Sequence, residues 1–115
     1  MQVQKKSTKA LPASWRIKKR YLKFQIVSEN KFSQRDVNYS LIGHLLSLLG
    51  SLHFAEMHFS LVLYDPESGL GILRCSRDSL QTLKAGLVLL SHVNNIKVSV
   101  RLLKTSGTIK SLKTG

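Results

Sequence analysis

The architecture of this chain follows from Leu11–Ile26, which reads LPASWRIKKRYLKFQI. Its first half carries four cationic side chains within five residues, and these are Arg16, Lys18, Lys19 and Arg20. From Tyr21 to Ile26 its second half alternates polar and apolar residues, and side chains at a period of two lie on opposite faces of a strand. The stretch therefore predicts a basic arm that leads directly into the first strand of a small core.

The length and charge of the chain favour one domain that binds a polyanion. Its 115 residues, 43% of them hydrophobic, are enough for one core without disulfide or metal staples. Residues 1–23 hold eight Lys or Arg and no acid, residues 101–115 hold four and no acid, and residues 24–100 hold six of each. Two acid-free basic ends favour a nucleic acid. A membrane surface is disfavoured, because Lys5–Lys9 offers no apolar face to a bilayer.

The cysteine and hydropathy patterns favour an intracellular protein. Cys75 is the single cysteine, so no intramolecular disulfide and no oxidising compartment are expected. No apolar run reaches the roughly 18 residues that a membrane span requires. The N-terminal stretch also lacks the apolar segment of a secretory signal.

The hydrophobic periodicity predicts the element order β-α-β-β-α-β. Strands are expected at about residues 21–28, 57–64, 70–75 and 97–103, and helices at about 33–50 and 77–91. Ser33 and Ser76 are the predicted N-caps, and Gly50 is the predicted end of the first helix. The DPESG sequence at Asp65–Gly69 predicts the turn of a hairpin. This order is that of a ferredoxin-like, RRM-like two-layer α+β sandwich.

The predicted fold leaves basic arms at both ends of the chain. We expect a flexible basic tail at residues 1–10, the ferredoxin-like domain at 11–105 and a basic C-terminal tail at 106–115. The apolar stripe expected on the first helix is Val37, Leu41, Leu45 and Leu48 or Leu49, widened by Ile42 and Leu46. The small residues on the other face of that helix would allow another chain to approach closely, or they form an ordinary solvent-exposed face.

The predicted third strand, Leu70–Cys75, contains no aromatic residue. The same topology houses the common single-stranded RNA module, in which aromatic side chains on this strand stack on bases. We therefore expect Arg and Lys to contact the RNA backbone instead. Arg74 and Arg77 flank the start of the second helix, where they could bind phosphate oxygens. Alternatively, Arg77 pairs with Asp78 or Glu67.

No arrangement of residues in the sequence is typical of an active site. The four histidines lack the spacing of zinc ligands, and the six acids show no clustered pair for acid–base catalysis or for binding Mg²⁺. Cys75 has no matched base and is predicted to be a buried, small apolar residue. Thr105–Lys110 combines hydroxyls, a glycine and a lysine, a composition that can bind an anion or simply form a polar exit from the domain.

Four blocks of sequence together resemble the archaeal ribonuclease P protein component 2 family, the Pop-type subunit family. They are LPASWRIKKRYLKF, SENKFS, GILRCSR and SGTIKSLK, in this order between Leu11 and Lys113. The resemblance implies a ferredoxin-like fold and a protein subunit that stabilises the catalytic RNA, which removes the 5′ leader from precursor tRNA. It also implies that Mg²⁺ is bound by the catalytic RNA and that the protein itself carries no cofactor.

The resemblance further implies a set of partners and binding residues. The expected partners are ribonuclease P RNA, the barrel-like component 3, precursor tRNA indirectly, and a second copy of this chain within a heterotetramer, all in the cytoplasm. The RNA-binding residues implied are Arg16, Lys18, Lys19, Arg20, Arg74, Arg77, Arg101, Ser106, Thr108 and Lys110, with no catalytic residue or metal ligand. The alternatives are a small protein–protein interaction module, another basic RNA-binding domain of ribosomal type, or a metal-free nuclease acting through His and Lys.

Overall fold

The computed structural model describes residues 18–113 and contains the predicted β-α-β-β-α-β order. The strands are β1 (Lys19–Val27), β2 (Ser60–Tyr64), β3 (Leu70–Ser76), β4 (His92–Val93), β5 (Ile96–Lys97) and β6 (Ser99–Ser106). The α-helices are α1 (Gln34–Met57), α2 (Leu80–Val88) and α3 (Ile109–Lys113), and a 3-10 turn at Arg77–Ser79 precedes α2. The predicted 1–10 tail lies outside the described residues.

Four of the strands form an antiparallel sheet in the order β2-β3-β1-β6, which confirms the ferredoxin-like arrangement. The short strands β4 and β5 pair only with each other. In the sheet, Leu22 on β1 lies opposite Leu73 on β3, and Phe24 lies opposite Leu102 on β6. Leu22, Phe24 and Ile26 are buried in the core that the sheet shares with α1 and α2. The predicted alternation of β1 is therefore correct.

Helix α1 begins as predicted and is interrupted at Gly50, its predicted end, before a second helical segment follows. The Asp36 N–H donates to the Ser33 hydroxyl oxygen at 3.1 Å, which satisfies one of the free amides of the first turn. Gly50 has a non-helical φ of 80° and ψ of 163°, and the chain then resumes a helical path to Met57. The break at Gly50 agrees with the predicted end of the helix, and the sequence did not predict the second helical segment, which ends at the buried Met57. Strand β2 consequently begins at Ser60 and not near residue 57.

The apolar stripe of α1 is narrower than the periodicity predicts. Val37, Leu41 and Leu45 are fully buried, whereas Leu46 and Leu48 are 39% and 46% exposed. The predicted widening of the stripe by Leu46 is therefore wrong, and of the alternatives Leu48 and Leu49 it is Leu49 that packs against the core.

The two long helices approach each other closely at Gly86 on α2. A Cβ atom at this position would lie 2.8 Å from Cδ2 of Leu45 on α1, so a larger residue would push the helices apart. The His44 Nε2 donates to the Gly86 carbonyl oxygen at 2.8 Å. Helix α2 is also shorter than predicted. The hydroxyl of Ser76 donates to the Glu56 carbonyl oxygen and to Ser79, and it makes no cap bond to the helix backbone.

The chain from residue 106, predicted to be a basic tail, is partly folded. Strand β6 extends to Ser106, and α3 follows after a two-residue turn. Leu112 on α3 is 0% exposed, and α3 packs against β1 and β6. A buried leucine so close to the end of the chain explains why this segment is folded. Ile109 and Leu112 are three residues apart and lie on one side of α3, but two apolar residues are too few to predict a helix by periodicity.

Candidate nucleic-acid interface

Strand pairing brings most of the predicted RNA-binding residues to one end of the sheet. Tyr21 on β1 lies opposite Arg74 on β3 and also opposite Ser106 on β6, while Lys19 lies opposite Ser76. Residues that flank these positions along the chain add further cations and hydroxyl groups to the same end of the sheet. We call this group the basic edge, and it consists of Lys18, Lys19, Arg20, Arg74, Arg77, Ser106, Thr108 and Lys110. Three segments that are far apart in sequence therefore present their cations together.

A backbone hydrogen bond fastens two of these segments to each other. The Arg77 N–H donates to the Lys18 carbonyl oxygen at 2.7 Å, so the start of β1 is held against the residue that follows β3. The Arg77 side chain lies 3.5 Å from a carboxylate oxygen of Asp78, and both side chains are largely exposed. Of the alternatives considered from the sequence, pairing with Asp78 is therefore observed. An exposed pair of this kind contributes at most about 1 kcal/mol, so a phosphate can compete for the guanidinium.

The two other arginines of the basic edge are half-buried. The Arg20 Nη1 donates to the Lys19 carbonyl oxygen at 2.9 Å. The same nitrogen would lie 3.8 Å from a Cβ atom at Gly107, so Arg20 reaches the turn that follows β6. The Nε of Arg74 is buried and has no hydrogen-bond partner within the part of the chain that the structure describes. An unsatisfied buried donor is unfavourable by roughly 1–3 kcal/mol, so Arg74 gains from any acceptor that a ligand supplies.

The hydroxyl of Ser106 makes contacts within the protein. It accepts a hydrogen bond from the Thr108 N–H at 3.1 Å and lies 2.5 Å from the Ser111 hydroxyl oxygen. The Ser111 hydroxyl also lies 3.4 Å from the Thr108 carbonyl oxygen. These contacts hold the turn between β6 and α3 in place. A direct contact of Ser106 or Thr108 with RNA stays a prediction.

One predicted residue that the structure describes, Arg101, does not join the basic edge. Arg101 on β6 lies opposite Gln25, four residues along β1 from Tyr21 and thus about 13 Å away at the usual strand rise. Arg16 lies outside the described residues. The structure instead places Lys23 opposite Lys104 on the sheet face that carries Tyr21. Nothing in the sequence indicated that these lysines would pair, although the alternation of β1 already put Lys23 on its polar face.

Cys75 lies among the strands that carry the basic edge but takes no part in it. The side chain is fully buried, and this burial raises the pKa of the thiol from 9.0 to about 11, while the charge of Lys19 acts in the opposite direction. A protonated thiol is a poor nucleophile. Within residues 18–113, no three His, Cys, Asp or Glu side chains are grouped so that they could bind a metal ion. Over the same range no helix is long and apolar enough to cross a membrane.

The helix layer presents a second candidate surface, which is apolar. Leu52 is 72% exposed and Leu89 is 62% exposed, and Leu48 and Val88 are also exposed on α1 and α2. We call these four residues the apolar helix surface. Exposed leucines on two packed helices are typical of protein contacts. The molecule therefore offers basic groups at one end of its sheet and apolar groups on its helices.

Comparison with known proteins gives consistent matches over nearly the whole chain. A model of the Rpp14/Pop5 family matches residues 20–114. Ribonuclease P protein component 2 of Pyrococcus furiosus is 36% identical over 105 residues, spanning 91% of this chain and 88% of the relative. The protein of the same name from Archaeoglobus fulgidus is 39% identical over 105 residues, spanning 91% of this chain and 94% of the relative.

A solved structure also has the same fold. One chain in the cryo-EM structure of yeast ribonuclease MRP matches with a TM-score of 0.66 and 16% sequence identity. The match covers 81% of this chain and 76% of that chain. At this level of identity the similarity supports the two-layer fold described above.

Proposed function

This chain belongs to the Rpp14/Pop5 family, and we propose that it is a protein subunit of ribonuclease P. In this role it binds the catalytic RNA and stabilises the form that removes the 5′ leader from precursor tRNA. The observation that carries the proposal is the convergence of six cationic side chains on the basic edge. They are Lys18, Lys19, Arg20, Arg74, Arg77 and Lys110.

The basic edge is suited to the RNA backbone. Lys and Arg neutralise phosphates and release condensed counterions, which gives affinity without reading base identity. Arginine adds bidentate hydrogen bonds to phosphate oxygens, and three of the six cations are arginines. Folding of an RNA brings its phosphates close together, and these phosphates repel one another. Cations held at fixed positions on the sheet reduce this repulsion and so favour the folded RNA.

The chemistry of cleavage is assigned to the RNA in this proposal. Mg²⁺ held by the catalytic RNA would activate the attacking water, and the isolated protein would not cleave precursor tRNA. The basic edge supplies positive charge for the phosphates of the RNA. The particle is expected to work in the cytoplasm.

The apolar helix surface is the proposed site for a second protein subunit. Its occupant in this proposal is the barrel-like component 3, and a second copy of this chain would complete a heterotetramer. The division of the molecule supports this arrangement, because the helices that carry Leu52 and Leu89 lie on the opposite side of the sheet from Tyr21 and Arg74. RNA and protein partners could then bind without competing.

The experiment that tests the function is reconstituted cleavage of precursor tRNA with catalytic RNA and component 3. A triple charge reversal, Lys18→Glu, Lys19→Glu and Arg20→Glu, should abolish the stimulation at moderate Mg²⁺. The matched control reverses three cations outside the basic edge, Arg35→Glu, Lys84→Glu and Lys97→Glu, and should retain most of it. Equal loss in both variants, or cleavage that does not depend on the wild-type chain, would contradict the proposed function.

A further inference from the structure

Helix α3 lies on the face of the sheet that α1 and α2 leave open. Ser106 is next to Tyr21 in the sheet, and Tyr21 alternates with the core residue Leu22, so Ser106 is on the open face. The Ser111 hydroxyl oxygen lies 2.5 Å from that of Ser106, which places α3 over this face. The contacts of α3 with β1 and β6 agree with this placement.

Leu112 is the apolar anchor of α3. It is 0% exposed but does not belong to the main core cluster between the sheet and the long helices. A helix of five residues is not stable by itself in water. Tertiary contact must therefore hold α3, and Leu112 is its one fully buried side chain. Removal of the leucine side chain from water is the main force that docks so short a helix on the sheet.

The anchored helix carries two lysines at defined positions. Lys110 and Lys113 are three residues apart, so they share one side of the helix, and both are exposed. Leu112 points to a different side, because a step of two residues turns a helix by about 200°. When Leu112 is docked, both lysines are held beside the end of the sheet where the Ser106 turn meets Arg20.

We infer that Leu112 is a positioning residue for RNA binding, one that places Lys110 and Lys113 so that they extend the basic edge. The inference rests on the proposed function. Without the anchor the same lysines would lie on an undocked segment, and each binding event would have to order them again. Ordering rotamer-rich side chains and chain segments weakens association, so a docked α3 binds more tightly than a free one with the same charge.

The test compares Leu112→Gln with Leu112→Met in binding to catalytic RNA across a salt series. Both substitutions keep the net charge and have similar helix propensities, but only Met keeps an apolar anchor. The Gln variant should bind about 10-fold more weakly, with a log–log salt slope smaller in magnitude by about 1 to 2. The Met variant should stay within about twofold of the wild type. Hydrogen exchange of the amides at 109–113 should become fast in the Gln variant alone.

A double-mutant cycle separates positioning from simple loss of structure. Replacing Lys110 and Lys113 with Gln should weaken binding about 10-fold in the wild type but less than about twofold in the Leu112→Gln background. Equal effects in both backgrounds would overturn the inference. So would a Leu112→Gln protein with unchanged affinity, or one that loses the sheet as judged by circular dichroism, since Leu112 would then be a core residue. If the wild type itself shows no salt-dependent binding, the proposed function fails, independently of Leu112.

Discussion

Neutralising the start of β1 should lower the salt dependence of RNA binding by an amount that the structure sets. The variant carries Lys18→Gln, Lys19→Gln and Arg20→Gln, which removes three of the six cations that the structure brings together at the basic edge. Each phosphate contact contributes about −0.7 to −0.9 to the slope of log K against log salt concentration. Six contacts therefore predict a slope of about −4 to −5 for the wild type, and three remaining contacts predict about −2 to −3.

The assay is equilibrium binding of catalytic RNA at several monovalent salt concentrations with fixed Mg²⁺. The control variant, Arg35→Gln, Lys84→Gln and Lys97→Gln, has the same net charge but alters cations outside the basic edge. It should keep the wild-type slope to within about 1, because exposed charges farther away than a Debye length of roughly 10 Å are screened.

The comparison between these two variants tests the geometry directly. If both slopes fall equally, binding depends on net charge alone, and the grouping of β1, β3 and the C-terminal turn has no functional meaning. If the wild-type slope is near zero, phosphate contacts do not drive binding at all. Thermal unfolding of each variant checks that the fold is intact, since Arg20 also donates a hydrogen bond to the Lys19 carbonyl oxygen.

Three further predictions concern stability, thiol chemistry and the protein partner. Gly69→Ala should lower the free energy of unfolding in urea by about 2 kcal/mol or more, because φ is 78° and the added Cβ would overlap the Ile26 carbonyl oxygen. The control Gly43→Ala, with open space around the added Cβ, should leave this free energy unchanged or raise it. Cys75, whose pKa is raised from 9.0 to about 11, should resist thiol reagents at pH 8 until the protein is unfolded. The raised pKa disfavours the thiolate in the folded state. The free energy of unfolding of the wild type, relative to that of Cys75→Ala, should therefore be constant below about pH 9 and fall between pH 9 and pH 11. Parallel pH profiles for the two proteins would contradict this. Leu52→Asp with Leu89→Asp should abolish binding of component 3 in size-exclusion or calorimetric measurements while leaving RNA affinity within about twofold, and retained binding would show that the partner docks elsewhere.

Local periodicity was sufficient for the order and type of the main elements. The alternation from Tyr21 to Ile26 correctly assigned the buried face of β1, and the 3.6-residue spacing correctly assigned Val37, Leu41 and Leu45 to the core. Both patterns are properties of neighbouring residues, so one sequence contains them fully. The N-cap at Ser33 was predictable for the same reason, since its partner is the amide only three residues away.

The predictions that failed depend on residues distant in sequence. A second helical segment follows Gly50 and ends at the buried Met57, and Leu46 stays 39% exposed. The folded α3 depends on Leu112, which is fully buried where α3 meets the sheet. These outcomes depend on tertiary packing, which a short local hydrophobic pattern does not determine.

The sequence by itself determined the element order, the ferredoxin-like class and the concentration of positive charge near the two ends of the chain. Those properties arise from covalent neighbours and from composition. Tertiary structure alone decided that Lys18, Arg74 and Ser106 meet at one end of the sheet, that Arg101 lies apart from them, and that Lys23 faces Lys104. The physical reason is that strand register is set by hydrogen bonds between segments up to about 80 residues apart, and a shift of one residue would move every side chain to the other face.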